Sequence, residues 1–252
     1  MTETIPILTR ALGAFALAVG GGALSAAVGV SHRRLCGLIS LAAGTLLGVT
    51  VFSILPEGWE VMRWWELALA GGSGYVVFVL ISRYVYHVCP ACAASHFDEA
   101  TTHRFSEIAG ALIIALGVHS TMDGVALAAG HEAGRLSDLS VLLAVCVHKV
   151  PEGLALGALL IGAGYSRGRA IAWVAAVEAT TVLGGGLGLL FLDRISPVWL
   201  NAVLAHAGGG FVFLAAHAVL GELVKHEKAI VLTNFVAGVL VIGAIDAAIR
   251  FL

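Results

Sequence analysis

Two short stretches of this chain have the residue types and the spacing of a metal site. The first reads HSTMDG and begins at His119, and the second reads HKVPEG and begins at His148. A carboxylate follows each histidine by four residues, at Asp123 and at Glu152. Residues four apart share one face of a helix, so each stretch offers an imidazole and a carboxylate side by side. Two imidazoles and two carboxylates form a tetrahedral set that suits zinc and is acceptable for iron, manganese or cadmium.

The composition is that of an integral membrane protein. Of the 252 residues, 59% are hydrophobic and 12% are charged, whereas a soluble domain has about 25% charged residues. The chain has no basic cluster or nucleic-acid motif, and its four cysteines are too few for a disulfide scaffold. A carboxylate at membrane depth costs roughly 2.5–3.5 kcal/mol on insertion scales. Two such groups inside apolar runs therefore need a function, and a divalent-metal site inside a transporter supplies one.

Apolar runs of the length that spans a bilayer, about 20 residues, follow one another along the chain. We expect a single all-α transmembrane domain over residues 1–252, with a cytoplasmic loop at 87–104. The eight predicted helices are 5–30, 35–57, 64–86, 105–130, 139–164, 170–192, 198–222 and 229–252. The two histidine stretches lie in the fourth and the fifth. Glu3 precedes the first run and Pro6 lies at its start, so we expect that run to be a retained helix rather than a cleaved signal.

The basic residues of the loops predict the orientation, because cytoplasmic loops carry an excess of lysine and arginine. One side has Arg33, Arg34, Arg83, Arg104, Arg167, Arg169, Lys225 and Lys228, and the other has only Arg10, Arg63, Arg135, Arg194 and Arg250. The richer side is expected to be cytoplasmic. Both termini are then outside.

The ionisable residues near the two stretches predict how many ions the site holds. Lys149 lies three residues before Glu152, so the two can meet on one helix face, and Glu178 lies mid-way along the sixth run. Asp123, Glu152 and Glu178 carry three negative charges, and Lys149 reduces the sum to two. One divalent cation would neutralise this group. We therefore expect a single ion, with the ammonium where a second cation would otherwise sit.

The paired motifs HSTMDG and HKVPEG, on the fourth and fifth of eight helices, resemble those of the ZIP family of divalent-metal transporters. Matches extend to the second run, around Leu55-Pro56-Glu57, and to the seventh, around Gly209-Gly210-Phe211. The resemblance covers most of the chain. It implies a 3+2+3 helix bundle with the metal site between helices four and five, outside termini, and inward movement of zinc or similar ions. By the family pattern, the primary ligands are His119, Asp123, His148 and Glu152.

The residues at four positions, Ser120, Lys149, His217 and Ser53, depart from that pattern. Ser120, Lys149 and Glu178 occupy positions that form a second adjacent metal site in many members, and Lys149 argues against a second metal here. His217 stands in the seventh run where an acid is common; we interpret it as either a transit ligand or a packing residue. Ser53 stands where histidine or methionine can occur, so it is a weaker candidate for the transport path.

The predicted cytoplasmic loop carries its own cluster of metal-ligand types. His87, Cys89, Cys92, His96 and His103 lie close together in sequence, and a CxxC with nearby histidines can bind zinc. The loop is either an acceptor or sensor of arriving metal, or a flexible linker with incidental cysteines.

The sequence leaves several functions open. The leading hypothesis is zinc uptake toward the cytoplasm by alternating access, with no enzymatic activity and no organic cofactor. The alternatives are a membrane-embedded zinc hydrolase, although no HExxH motif is present, and a metal sensor without flux. The short loops favour a prokaryotic type in the inner (plasma) membrane. The expected partners are the metal ion and the lipid bilayer, with no nucleic acid, and a homodimer is left open.

Overall fold

The computed structural model describes residues 4–28, 32–85, 102–133, 135–192, 195–225 and 228–250, and the regular elements in these ranges are all helical. The α-helices are α1 (Thr4–Val28), α2 (His32–Val49), α3 (Leu55–Val61), α4 (Trp64–Val85), α5 (Thr102–Ala133), α6 (Arg135–Gly162), α7 (Arg167–Phe191), α8 (Pro197–Lys225) and α9 (Lys228–Arg250). Helix is the expected state of such apolar runs, because in lipid each backbone N–H and C=O must find its partner within the segment.

The second apolar run is not one regular helix. A π-helical turn, Thr50–Ile54, joins α2 to α3, and the N–H of Leu55 donates to the carbonyl of Thr50, five residues back. Pro56 follows in the first turn of α3. A proline cannot donate to the preceding turn, and its ring clashes with the carbonyl four residues back, so the helix widens directly before it.

Seven helical segments in the described part of the chain are long and apolar enough to cross a membrane. They are Thr4–Ala27, Cys36–Val61, Trp64–Tyr84, Asp138–Gly162, Arg167–Phe191, Pro197–Leu220 and Lys228–Ile249. The fourth predicted run falls on α5, which is 32 residues long but is not one of the seven. The predicted class, an all-α multi-pass membrane protein, is confirmed.

Glycines set the closest helix contacts. In four helix pairs, each partner contributes a glycine whose added Cβ would overlap a backbone carbonyl of the other helix. The glycine pairs are Gly21 with Gly153 (α1 and α6), Gly124 with Gly184 (α5 and α7), Gly44 with Gly238 (α2 and α9), and Gly74 with Gly209 (α4 and α8). Without hydrophobic exclusion between helices in lipid, such close backbone approach supplies the packing attraction. These are also the most extensive helix–helix contacts in the described structure.

The pairs assemble into two groups of four spans. One group contains α1, α5, α6 and α7, and the other contains α4, α8, α9 and the α2–α3 segment. The groups meet mainly where α2 contacts α6 and where α5 contacts α8. The predicted 3+2+3 arrangement is not confirmed by these contacts alone. They do put α5 and α6, which carry the two histidine stretches, against both groups.

Candidate metal centre

The candidate metal centre is formed where α5 and α6 pass each other. A short connection joins them, so they run antiparallel, and the two motifs lie at similar distances from it. His119 and Asp123 on α5 thereby face His148 and Glu152 on α6. One ligand atom from each of the four lies within 4.8 Å of the others, and all four side chains are buried. Among the described residues, no other group of three or more such side chains converges in this way.

The spacing of the donor atoms fits a small ion. Asp123 Oδ2 lies 3.1 Å from His148 Nε2 and 3.4 Å from His119 Nε2. Glu152 Oε2 lies 3.9 Å from each of the two Nε2 atoms. Ligands at about 2.0–2.1 Å from a tetrahedral zinc are about 3.3 Å apart. The measured separations lie on both sides of that value, so small side-chain movements would complete the coordination.

A lysine ammonium lies directly beside the four donors. Lys149 Nζ is 2.9 Å from Asp123 Oδ2, 2.8 Å from Glu152 Oε2 and 2.9 Å from Glu178 Oε2. It also donates to Ser120 Oγ at 2.8 Å, and the whole lysine side chain is buried. A buried charge is tolerated only when it is paired and fully hydrogen-bonded. The lysine meets that condition with three carboxylates from three helices.

The two histidines are held differently. His148 Nδ1 is 2.8 Å from the carbonyl oxygen of Ala144. When Nδ1 carries the proton and donates it to this carbonyl, Nε2 is unprotonated and its lone pair faces Asp123. His119 Nδ1 has no hydrogen-bond partner among the described residues. Its ring is held by packing, with the Phe78 ring 6.1 Å away edge-on and the His148 ring 5.4 Å away.

This difference predicts unequal effects of the two alanine substitutions. We expect His148→Ala to weaken zinc binding about tenfold more than His119→Ala does. Loss of a group that orients a metal ligand typically changes metal affinity by about this factor. The reason is that a hydrogen bond to the Ala144 carbonyl already orients the His148 ring, whereas, among the described residues, only packing positions the His119 ring. Competition of the purified variants with a chelating dye measures both constants. Equal losses, or a larger loss for His119→Ala, would contradict the prediction.

The glycine that follows each carboxylate makes room for a neighbouring helix. A Cβ on Gly124 would overlap the carbonyl oxygen of Thr181 on α7, and a Cβ on Gly153 would overlap that of Ala18 on α1. The first contact brings α7 close enough for Glu178 to reach Lys149. At both positions the space that a side chain would take is occupied by the backbone of the neighbouring helix.

A cavity of about 50 Å³ adjoins the donors. His119, His148 and Glu152 form its polar wall, and Pro151 on α6 lies beside them. The remaining wall comes from α2 and α8, with Ile39, Ala42, Ala43, Leu46, Leu214 and Ala218. The α2 residues belong to the half of the second span, Cys36–Val61, that is nearest the α1–α2 connection, and the α8 residues belong to the half of α8 nearest the α8–α9 connection. The cavity therefore extends from the donors toward that end of the bundle.

The other predicted site residues fall in three places. Ser120, Lys149 and Glu178 are at the site, as described above. Ser53 is buried on the π turn, and its hydroxyl has no hydrogen-bond partner in the described part of the chain. His217 lies on α8, stacked on Phe213 with ring centres 3.8 Å apart, and its Nδ1 is 2.9 Å from the Phe213 carbonyl oxygen.

The side chains of the predicted metal ligands of the cytoplasmic loop lie outside the part of the chain that the structure describes. His87, Cys89, Cys92 and His96 lie outside the described residues. His103 is in the first turn of α5, and its side chain is outside the described part as well.

Sequence reasoning missed two features of the structure. Phe78 on α4 and Phe211 on α8 pack against His119 and His148, with ring centres 6.1 and 6.3 Å apart respectively. A phenylalanine in an apolar run carries no signal of such a role. The second feature is a salt bridge between Arg10 on α1 and Asp138 on α6. Arg10 and Asp138 are far apart in sequence, so no local spacing could pair them.

The helices and the buried donor set define a multi-pass membrane protein with a candidate metal site. The sequence profile described as "ZIP Zinc transporter" matches residues 85–246. The chain belongs to the ZIP zinc transporter family. The residues matched include both histidine stretches and most of the helices around them.

Curated relatives agree with this assignment. Zinc transporter ZIP13 of Pongo abelii is 26% identical over 210 residues, which cover 75% of this chain and 59% of the relative. ZIP13 of Mus musculus is 25% identical over 77% of this chain and 64% of its own length. Zinc transporter YKE4 of Saccharomyces cerevisiae is 22% identical over 76% of this chain and 62% of its own length. The chain thus spans about three fifths of the length of these relatives.

The relatives also bear on two predictions. They are named as zinc transporters, which are not enzymes, and this agrees with the expectation that the chain is no enzyme. They come from animals and yeast, so they do not support the predicted prokaryotic type.

Proposed function

We propose that this protein carries divalent metal ions, with zinc as the main substrate, across a membrane toward the cytoplasm. The observation that carries the proposal is the convergence of two imidazoles and two carboxylates on one buried point between α5 and α6. Family membership and the printed names of the relatives support zinc. In this proposal, His119, Asp123, His148 and Glu152 are the ligands of the transported ion. Fe²⁺, Mn²⁺ and Cd²⁺ are further candidate substrates, because this donor set does not discriminate sharply among them.

We propose one ion per site. Lys149, held by Ser120 and by three carboxylates, occupies the position next to the four donors. The three acids and the lysine sum to two negative charges, which one divalent ion neutralises. The ammonium thus takes the place of a second metal ion.

The proposed topology is a single domain with the 3+2+3 arrangement. The four glycine-mediated helix pairs support it. When spans one to three are exchanged with spans six to eight, and span four with span five, each of the four pairs becomes another of the four. The α1–α6 pair then becomes the α7–α5 pair, and the α2–α9 pair becomes the α8–α4 pair. With the termini outside, this is a multi-pass protein of the plasma membrane, and a homodimer remains compatible with it.

The proposed mechanism is alternating access. The four ligands belong to one helix group, whereas α2 and α8 of the other group form the opposite wall of the cavity. Movement of one group against the other would open the site to each side in turn. In the proposed orientation the cavity lies in the cytoplasmic half, so it is the release path. The proposed transit contacts are His217, which precedes the cavity-lining Ala218 on α8, and Ser53, in the outer half of the second span.

The cytoplasmic loop is a separate proposal. His87, Cys89, Cys92, His96 and His103 would accept metal that leaves the cavity, since thiolate and imidazole are good zinc ligands.

A test of the proposed function is zinc uptake into liposomes that contain the purified protein. We expect saturable uptake that a zinc gradient drives and that empty liposomes lack. Cadmium, iron and manganese, added as competitors, would rank the substrates. A metal sensor is the second candidate, and it would bind zinc with the same four residues but move none. Intact binding without flux would therefore reject transport in favour of that candidate.

A further inference from the structure

Lys149 and the proposed ion use the same two carboxylate oxygens. Asp123 Oδ2 and Glu152 Oε2 both lie within 3.9 Å of His119 Nε2 and of His148 Nε2. The same two atoms lie 2.9 and 2.8 Å from the lysine ammonium. An ion bound between the histidines would therefore share both oxygens with a permanent positive charge.

Two groups outside the four proposed ligands also hold the lysine. Ser120 Oγ accepts from Nζ at 2.8 Å, and Glu178 Oε2 lies 2.9 Å from Nζ. Ser120 also lies 3.3 Å from Glu178 Oε2 and 3.2 Å from Glu152 Oε1. These contacts keep the ammonium in position even when an ion draws Asp123 and Glu152 toward itself.

We propose that Lys149 is a fixed counter-cation that lowers the affinity of the site and so speeds the release of the ion. Two effects act in the same direction. The ammonium withdraws charge from the two shared oxygens, and it repels the dication at close range in a medium of low dielectric constant. It acts through the ligands and is a positioning residue. The inference rests on the proposed function, because release has meaning only for a transported ion.

A purely structural lysine would behave differently. If the lysine only joined α5, α6 and α7, its removal would lower the stability of the fold, and zinc binding would weaken as a result. A counter-cation predicts the opposite sign for binding, since its removal makes the two shared oxygens better donors. The sign of the affinity change therefore separates the two roles.

The variant that tests this is Lys149→Met combined with Glu178→Gln. It removes one positive and one negative charge, so the site keeps its sum of two negative charges and all four ligands. Dye competition on the purified full-length protein should show a zinc dissociation constant at least about tenfold lower than that of the wild type, a shift of about 1.4 kcal/mol. In liposomes, KM and kcat should both fall, because tighter binding slows release.

Two further variants serve as controls. Lys149→Arg keeps the charge and should leave the dissociation constant close to that of the wild type. Lys149→Gln, whose amide can still donate to Ser120, should tighten binding as the double variant does. Unchanged or weaker zinc binding in the folded neutral variants would overturn the inference. Failure to fold of both Lys149→Gln and the Lys149→Met, Glu178→Gln double variant would also overturn it, because the lysine would then be required for the fold itself.

The inference and the proposed function fail in distinguishable ways. If the wild type binds zinc but moves none, transport is rejected, whatever the affinities of the variants. If the wild type transports zinc and the neutral variants bind it no more tightly, only the role of Lys149 is rejected.

Discussion

Asp123→Asn is expected to lower zinc affinity and zinc uptake more than a hundredfold. The substitution keeps the size of the side chain and removes one negative charge from the atom nearest both imidazoles. Two unit charges 4 Å apart interact by about 4 kcal/mol at an effective dielectric constant of about 20, and a divalent ion doubles that value. Each 1.4 kcal/mol is a factor of about ten in affinity, so even partial compensation by neighbouring groups leaves a very large loss.

Asp246→Asn is the matched control for this prediction. Asp246 is also a buried aspartate in a membrane-spanning helix, but it lies on α9 and is not one of the four converging donors. We expect this variant to keep uptake within about twofold of the wild type, because the substitution leaves the charge of the four converging donors unchanged. Uptake is measured in liposomes and binding by dye competition. Near-normal binding in Asp123→Asn would remove Asp123 from the ligand set.

Gly184→Ala is expected to destabilise the fold and to weaken metal binding, whereas Gly186→Ala should do neither. A Cβ on Gly184 would overlap the Thr121 carbonyl and lie 3.1 Å from the Cα of Gly124. These are backbone atoms, so α7 would have to move away from α5. Overpacking of this kind costs about 1–3 kcal/mol. The same movement would pull Glu178 from the Lys149 ammonium and disturb the donors beside it.

The control in this pair lies on the same helix. A Cβ on Gly186 would meet nothing within 4 Å. Thermal unfolding in detergent, monitored by size-exclusion chromatography, compares the melting temperatures of the two variants. Dye competition measures their zinc binding. A lower melting temperature and weaker binding are expected for Gly184→Ala alone. Equal losses in both variants would mean that helix propensity or lipid contact, rather than the α5–α7 approach, controls stability here.

The local contacts of the site could be predicted from the sequence because they lie within one helix. His119 with Asp123, His148 with Glu152 and Lys149 with Glu152 are three or four residues apart, and helix geometry alone makes each pair neighbours. The structure has all three pairs in contact, at 3.4, 3.9 and 2.8 Å respectively. Neither the π turn nor the unequal support of the two histidines was predicted. Both depend on backbone and packing details that residue spacing does not encode.

Contacts between helices could not be predicted in this way. The sequence suggested that Glu178 was related to the site, but its contact with Lys149 requires α7 to approach α5 at one particular height. That height is set by Gly124 and Gly184, which lie 60 residues apart and whose partner atoms are backbone carbonyls on the opposite helix.

The sequence by itself predicted a membrane protein and singled out the two histidines and two carboxylates that form the candidate metal site. Composition and helical period carry that information, and both are local properties of the chain. Only the tertiary structure decided that three acids from three helices meet one ammonium, and that two of their oxygens also face the histidines. The helix crossings fix those distances. They follow from glycine contacts between segments far apart in sequence, where a single methyl group would force the backbones apart.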